Sequence, residues 1–494
     1  ISPDIDGLTS TDFHKARQFI DSGYVAAERK YAELAARIGQ RRSKENVDAS
    51  RKEFNSDKVP MIFKSLQFRG FSAAQMIFMR HIFKIHKKSV HTIDEVQEGY
   101  FRLISNEFFS QIYPRISYNP VDTSFVMELV NQYDRSLKFD VGGFLTSRNI
   151  GELYIGVRFN SFNRTLNENR MQIYTGRFYQ SYSLSSRINF PTGNFLFVQP
   201  EILYNNWDFI EISDLLKSDD PENKFAQQDD FKGGLNIGFP AGSEYKIVAR
   251  GFYINNTDKY SNINDLNSTD VLDRLNFEGF KTGISISRNS LNRKQYPDHG
   301  AGLEICINYF NGYENYLPGT TSAGQETTDK FHQWLRLRLN IDHYFTISSA
   351  FSGGWSLNTI VSNQPFFTNY TGTMLSLPVY YPLNDSRMLV LDEFRALNFT
   401  AGGLRAIYKV TDNFNFRAEG YIFKELNRIA EDEFQKPRLL SPDGSFKYAA
   451  ALTGVYQSPV GPVSLGLNYY STPNIGLGIF FHLGYLIFNE RSLD

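Results

Sequence analysis

The residues Lys447-Tyr448-Ala-Ala-Ala-Leu452-Thr-Gly-Val-Tyr456-Gln-Ser458-Pro-Val-Gly-Pro462-Val-Ser-Leu465-Gly-Leu467-Asn-Tyr469-Tyr470 constrain the fold more than any other stretch. Two segments of period-two hydrophobicity flank a tight Ser-Pro-Val-Gly-Pro turn. On the second segment Val463, Leu465, Leu467 and Tyr469 share one face, and Ser464, Gly466 and Asn468 share the other. Neighbouring side chains on a strand point to opposite faces, so one face suits lipid and the other a wet interior. The pattern recurs along most of the chain, which predicts a transmembrane β-barrel.

The rest of the composition agrees with that reading. No run of about 18 apolar residues occurs, so no helix is expected to span a membrane. The mean hydropathy of -0.37 would suit a soluble protein. A barrel hides from this average because half of each strand faces water. Aromatic residues make up 15% of the chain, with 43 Phe and 29 Tyr, as aromatic girdles require. A net charge of -1 carries no nucleic-acid signature. The one cysteine, Cys306, excludes an internal disulfide and reads as a small lumen-side filler beside Asn308. No signal peptide is visible at Ile1, so the chain is expected to be a mature or trimmed piece.

Three parts follow from the patterning. Residues 1–57 read as helical, with Asp12 as N-cap and Phe13, Ala16, Ile20, Ala27, Tyr31 and Leu34 at helical spacing. The charged stretch 39–57 reads as a linker or an exposed helix end. Residues 58–134 read as a small β-α-α-β-β module. Its strands are Met61–Phe68, Gln111–Tyr118 and Ser124–Asn131, its helices Phe71–Ile85 and Val96–Ile104, the latter behind a Thr92–Glu95 capping box. Residues 135–494 read as about sixteen strands. Short turns such as Phe239–Gly242, Val410–Asn413 and Ser458–Pro462 alternate with long polar loops near 205–228, 255–276, 311–330, 363–396 and 424–446, the outer-membrane plan. One pair of strands, Met171–Gln180 and Tyr182–Phe190, is divided at Ser181. The fold class is therefore mainly β: a membrane-spanning antiparallel barrel preceded by one small α+β domain and a short helical segment.

These residues carry resemblances. Glu95–Ile116, with Gly99-Tyr-Phe101-Arg-Leu103 and Phe108-Phe109, resembles the second helix and following strand of a polypeptide-transport-associated (POTRA) domain. The segments Ser287–Arg293 with Pro297-Asp-His-Gly300, Ser458–Pro462 and a final strand Ile475–Phe488 resemble the BamA-type surface-antigen barrel. Ser2–Phe13 followed by Ile20–Ala27 resembles the tail of a patatin-like phospholipase domain. The resemblances imply an outer-membrane barrel, with the POTRA and both termini in the periplasm. They imply contact with outer-membrane lipids, a client or passenger polypeptide at the POTRA, and room for a homodimer.

No catalytic, cofactor or metal residues emerge. A patatin needs Gly-x-Ser-x-Gly and an Asp-Gly partner. Gly70-Phe-Ser72-Ala-Ala74 lacks the last glycine, Gly319–Gly324 has the wrong spacing, and Asp6-Gly7 and Asp443-Gly444 have no elbow to serve. His81, His86 and His91 are five apart, about 500° of helix, and share no face. Arg336, Arg338, Asn340 and Asp342 are expected to face inward; Arg336 and Arg338 would form a lumen ion-pair ladder, or alternatively set anion preference or bind a plug. The sixth long loop, 363–396, lacks the Val-Arg-Gly-Phe of the BamA type, whereas Arg250-Gly251-Phe252 sits in an earlier strand.

Two functions are open on this basis. In the first, barrel and POTRA hold or export an N-terminal patatin-like lipid acyl hydrolase. In the second, the barrel is a translocation or assembly pore, opening between Leu137–Leu145 and Leu477–Phe488. Gly142, Gly143, Gly476, Gly478 and Gly484 would weaken that seam. A passive porin fits less well, because porins lack an N-terminal periplasmic module.

Overall fold

The computed structural model describes residues 1–6, 15–39, 42–56, 61–85, 88–104, 109, 112–130, 137–148, 150–191, 196–209, 226–242, 244–263, 269–324, 326–389, 391–442, 444–472 and 475–494. The expected Asp12 cap, His86 and Asp443 fall outside these residues. Among the described residues no helix is long and apolar enough to cross a membrane.

Two helices open the chain, α1 (Ala16–Ile38) and α2 (Lys44–Ser56), and neither buries a residue. A small module follows: β1 (Ile62–Arg69), α3 (Ala73–Ile82), β2 (His91–Thr92), α4 (Ile93–Ile104), β3 (Pro114–Asn119) and β4 (Ser124–Val130). Its sheet runs β2-β1-β4-β3, with β1 and β4 parallel. Phe63, Phe78, Met79, Ile82, Val96 and Leu103 form its core with Met127 and Leu129. Both helices start on reciprocal caps, Ser72 with Gln75 and Thr92 with Glu95, which satisfy otherwise orphaned N–H groups. The module touches the barrel through Phe162, which packs against Phe71, Phe78 and Phe109, and through Gln75, whose amide donates to the Phe162 carbonyl at 3.1 Å.

The barrel is closed and antiparallel. Its strands are β5 (Leu137–Thr146), β6 (Gly151–Phe162), β7 (Leu166–Gly176), β8 (Tyr179–Asn189), β9 (Phe197–Asp208), β10 (Ala226–Ala241), β11 (Tyr245–Tyr260) and β12 (Asp273–Asn289). They continue with β13 (Gly300–Leu317), β14 (Thr328–Thr346), β15 (Phe351–Ser362), β16 (Phe399–Lys409) and β17 (Phe414–Glu425). A small hairpin, β18 (Arg428–Glu431) and β19 (Pro437–Leu440), stands outside the barrel sheet. β20 (Lys447–Ser458), β21 (Gly461–Tyr470) and β22 (Leu477–Gly484) complete the ring of sixteen. Period-two alternation decides the faces, as the sequence predicted. On β21, Ser464, Asn468 and Tyr470 are buried in the lumen while Leu465, Leu467 and Tyr469 are exposed outward. A strand in lipid needs both edges paired, and closure supplies that.

Several expected boundaries differ, among them the loop near 311–330, where β13 runs on to Leu317 and β14 begins at Thr328 because polar Asn311, Glu314 and Asn315 alternate within a strand. The division at Ser181 moves to Arg177-Phe178, because Ser181 is a buried lumen residue within β8. The loop near 255–276 shortens to 261–272, because Asn256 and Asp258 are polar for the lumen's sake and continue β11. β11 to β14 reach 16, 17, 18 and 19 residues, well beyond the roughly 9–11 that cross a bilayer. The last strand ends at Gly484 rather than Phe488, and residues 490–494 lie inside the lumen.

Leu404, at the middle of β16, is 72% exposed on the outer face. Leu404→Arg should lower barrel stability by about 2–4 kcal/mol, measured by denaturant titration in lipid vesicles. An unchanged midpoint would mean that this belt does not face lipid.

Candidate functional site: the seam and the lumen behind it

The ring closes where β22 meets β5, in three register pairs: His482–Thr146, Leu483–Leu145 and Gly484–Phe144. β10 and β11 share sixteen, by contrast. Two further bonds continue the seam: the Ser147 N–H donates to the Phe481 carbonyl at 2.9 Å, and the Phe481 N–H to the Ser147 hydroxyl at 3.1 Å. Two glycines with positive φ lie here, Gly484 (φ +95°) opposite Phe144 and Gly143 (φ +145°) beside it, where a Cβ would lie 2.0 Å from the Glu152 carbonyl oxygen of β6. A Cβ on Gly484 would lie 2.1 Å from the Gly143 carbonyl oxygen. Both positions need glycine for conformation and for space. Beyond Gly484 the chain turns inward, so it offers β5 no further edge.

Three pieces brace this seam from inside. The first is loop 363–398, containing helix α5 (Tyr370–Ser376). Its Asp385, fully buried, pairs with Arg148 at 2.7 Å and accepts hydrogen bonds from Asn468 at 2.8 Å and Tyr470 at 2.5 Å. Arg148 follows β5, so one carboxylate joins the first strand's corner to β21. Met388 packs with Phe144 and Phe480 beside it.

The second piece is the turn Ser290–His299, which folds back against β16, β17, β21 and β22. Tyr296 adopts φ +57°, uncommon for a residue with a side chain. Its hydroxyl lies 2.8 Å from His482 Nε2 and donates to Ser464 at 2.9 Å, with the two rings stacked at 5.6 Å. Arg417 donates to the Pro297 carbonyl at 3.0 Å. Asp298 pairs with Lys409 at 3.1 Å and accepts from Asn292 at 2.5 Å. Burial pushes the Asp298 carboxyl up, but hydrogen bonds from Asn292 and Lys409 and the Arg293 and Lys409 charges outweigh it and hold it below its usual value.

The third piece is segment 485–494. It brings Glu490 to 3.5 Å from Arg338, which also meets Glu304 at 3.5 Å. Arg336, 1% exposed, donates to the Leu493 carbonyl and to Gln364. The inward orientation expected for Arg336 and Arg338 holds. Arg338 serves the wall's ion-pair ladder through Glu304 and the inserted segment through Glu490, and Arg336 serves the inserted segment. Asp342 pairs with Arg405 at 3.0 Å, and Glu419 with Arg417 at 2.8 Å. Between this charged wall and the two inserted segments lies a cavity of about 260 Å³, lined by Asp342, Arg405, Tyr380, Tyr381 and Glu490 among others.

Cys306 is fully buried on the lumen side, its thiol 3.3 Å from the Asn308 side-chain oxygen. Ser72 caps α3. His81 ends α3 and His91 lies in β2. Among the described residues no group of three or more His, Cys, Asp or Glu is placed to hold a metal. Arg250-Gly251-Phe252 is wall, paired with β10 and β12. Sequence reasoning missed Asp385, the Tyr296–His482 contact and the inward turn after Gly484. The polar run Asn489-Glu490-Arg491-Ser492 was the available signal for the last.

No protein-family model matches the sequence. No curated protein matches it either. Solved structures do. BamA from Haemophilus ducreyi, lacking POTRA domains 1–3, aligns with a TM-score of 0.56 at 14% identity, over 86% of this chain and 84% of that one. CdiB from Acinetobacter baumannii aligns at 0.50 and 11% identity, over 86% and 74%. CdiB from Escherichia coli aligns at 0.50 and 9%, over 85% and 76%. The chain has the fold of a BamA-type outer-membrane β-barrel.

Asp385→Asn removes the charge that Arg148 faces, a loss of about 1.5–3 kcal/mol for a charge-assisted bond. Amide exchange at residues 480–484 should quicken about tenfold or more, and unchanged exchange would show that the loop does not brace the seam. Asp298, held low, stabilises the docked turn above about 3.8 and loses that contribution as pH falls below it. Intrinsic-rate-corrected exchange across 290–299 should rise as pH falls below about 4, and the rise in that range should be smaller in Asp298→Asn.

Proposed function

We propose that this chain is an outer-membrane pore that passes or inserts polypeptide, and that the β5–β22 seam is the part that opens. The observation that carries the reading is the inequality of the wall: three register pairs at the seam against sixteen between β10 and β11. Thermal opening of a sheet follows its weakest ladder. The BamA-type and CdiB-type likeness of the fold supports the same reading. The small module supports a client-recruiting role of the POTRA kind. Its edge strand β3 has Ile116 and Tyr118 exposed and can take an added strand through main-chain hydrogen bonds.

A second reading keeps one specific observation. Helix α1 exposes Ile20, Tyr24, Tyr31 and Ile38 at 69, 68, 58 and 68%, and no residue of it is buried. Such a face suits packing against a further domain, as an anchored patatin-like hydrolase would provide.

Leu145 and Leu483 are direct cross-strand partners. Leu145→Cys with Leu483→Cys, in a Cys306→Ser background, should form a disulfide on oxidation. Cells depending on this protein should then lose client assembly or export, with recovery on reduction. If the locked barrel supports normal assembly and export, the seam is no gate and the anchor reading takes its place.

A further inference from the structure

Segment 485–494 is held in the lumen in a manner unlike the rest of the barrel. It forms no sheet ladder, and it is joined to the wall by side chains that meet its backbone. The Asn489 N–H donates to the Tyr179 hydroxyl at 3.0 Å, and its side chain to Ser181 at 2.9 Å. Asn205 donates to the Glu490 carbonyl at 3.4 Å. The Ser492 N–H donates to both Asp230 oxygens at 2.9 and 3.0 Å, and its hydroxyl to Asn256 at 2.6 Å. Lys281 donates to the Ser492 and Asp494 carbonyls at 2.9 and 2.6 Å. These partners come from β8 through β12, a run of wall that starts three strands round the ring from β5.

The wall holds these groups in place independently of the segment. Asp230 also accepts from Asn205 at 3.0 Å and from Asn256 at 2.6 Å, and Asp258 accepts from Gln228 at 2.9 Å. Asp230 and Asp258 are each 1% exposed. Buried carboxylates that face a removable partner, and are steadied by amides behind, make a receptor for a cation and for N–H groups. Arg491 supplies the cation, 3.3 Å from Asp258, and donates to the Leu375 carbonyl at 3.0 Å. Ser492 is fully buried, and its hydroxyl is used by Asn256. Leu493 enters an apolar pocket with Phe252, Ile254, Phe310 and Leu375.

We propose that the lumenal wall from β8 to β14 is a peptide-binding site for a segment carrying arginine, a small hydroxylated residue and an apolar residue in succession around a tight turn, as Arg491–Asp494 forms with the Asp494 N–H donating to the Arg491 carbonyl at 3.2 Å, and that residues 489–494 are its resident ligand. A client segment of the same chemistry displaces the resident one, a clause that rests on the pore reading. Because the resident segment continues β22 without a break, its release frees the seam strand from that wall.

The test uses a barrel lacking residues 485–494, its fold checked by heat-modifiable migration, and a fluorescein-labelled synthetic peptide of the Tyr485–Asp494 sequence. The peptide should bind the shortened barrel at least ten-fold more tightly than the full chain, whose site is filled. Asp230→Asn with Asp258→Asn in the shortened barrel, or Arg491→Glu in the peptide, should weaken binding ten-fold or more. Equal binding to both barrels, or none to a folded shortened barrel, overturns the proposal. Should the shortened barrel not fold, Ser492→Cys in a full-length Cys306→Ser background takes its place. An impermeant maleimide should label it slowly, and at least ten-fold faster after Asp230→Asn with Asp258→Asn; equal rates overturn the proposal. Neither readout involves transport, so a failure here leaves the seam crosslink to judge the pore reading separately.

Discussion

Every main-chain N–H and C=O in a lipid-embedded strand has to find a partner within the protein, because the hydrocarbon offers none. That demand forces the chain into a ring, and a ring has a last joint. Here the joint is made by Phe144–Thr146 and His482–Gly484 alone, with two bonds at Ser147 beside it. The remaining organisation of the lumen follows from a wall that closes but closes weakly. Gly484 lets the two strands approach at a left-handed bend, and the same bend sends the chain inward.

What the joint lacks in ladder length is supplied by polar contacts from inside. Asp385 ties the β5 corner to β21, Tyr296 reaches His482 and Ser464, and segment 485–494 ties β22 to β8 through β14. Charge-assisted bonds in a water-poor interior exceed the same bonds at a surface, and removing one partner leaves the other buried and unmatched. Such braces are strong when complete and are lost together when one is displaced. A wall of this kind can stay shut at rest and still part at one place, since the lumenal contacts are made by side chains and can exchange water for their present partners. The continuous ladders between β9 and β14 have no such substitute within the membrane.

Much of the barrel was legible beforehand. Strict alternation in Leu335–Asp342 and Val463–Tyr469 placed every side chain on its face, because a strand has only two faces and lipid rejects charge. The strand count followed from the same periodicity together with turn chemistry, and the inward orientation of Arg336 and Arg338 followed from the cost of charge in lipid. The glycine-rich seam was also visible, although only Gly484 needs glycine across the joint itself, and Gly143 needs it against β6. Polarity misled where it was read as loop: Asn256 and Asp258 are polar for the lumen, and β11 runs through them.

The sequence by itself determined that this chain closes into a membrane barrel, because period-two patterning is a local property that any neighbouring strand will read the same way. Only the tertiary structure decided what fills that barrel. Asp385 is 237 residues from Arg148, and Ser492 is 262 from Asp230. No periodicity links such residues; ring closure alone sets their separation. Apolarity in Leu486 and Phe488 could equally have continued a strand. The bend at Gly484 turned them inward, where Phe488 meets Phe144, Tyr179 and Trp207 and the buried carboxylates of the wall receive the residues that follow.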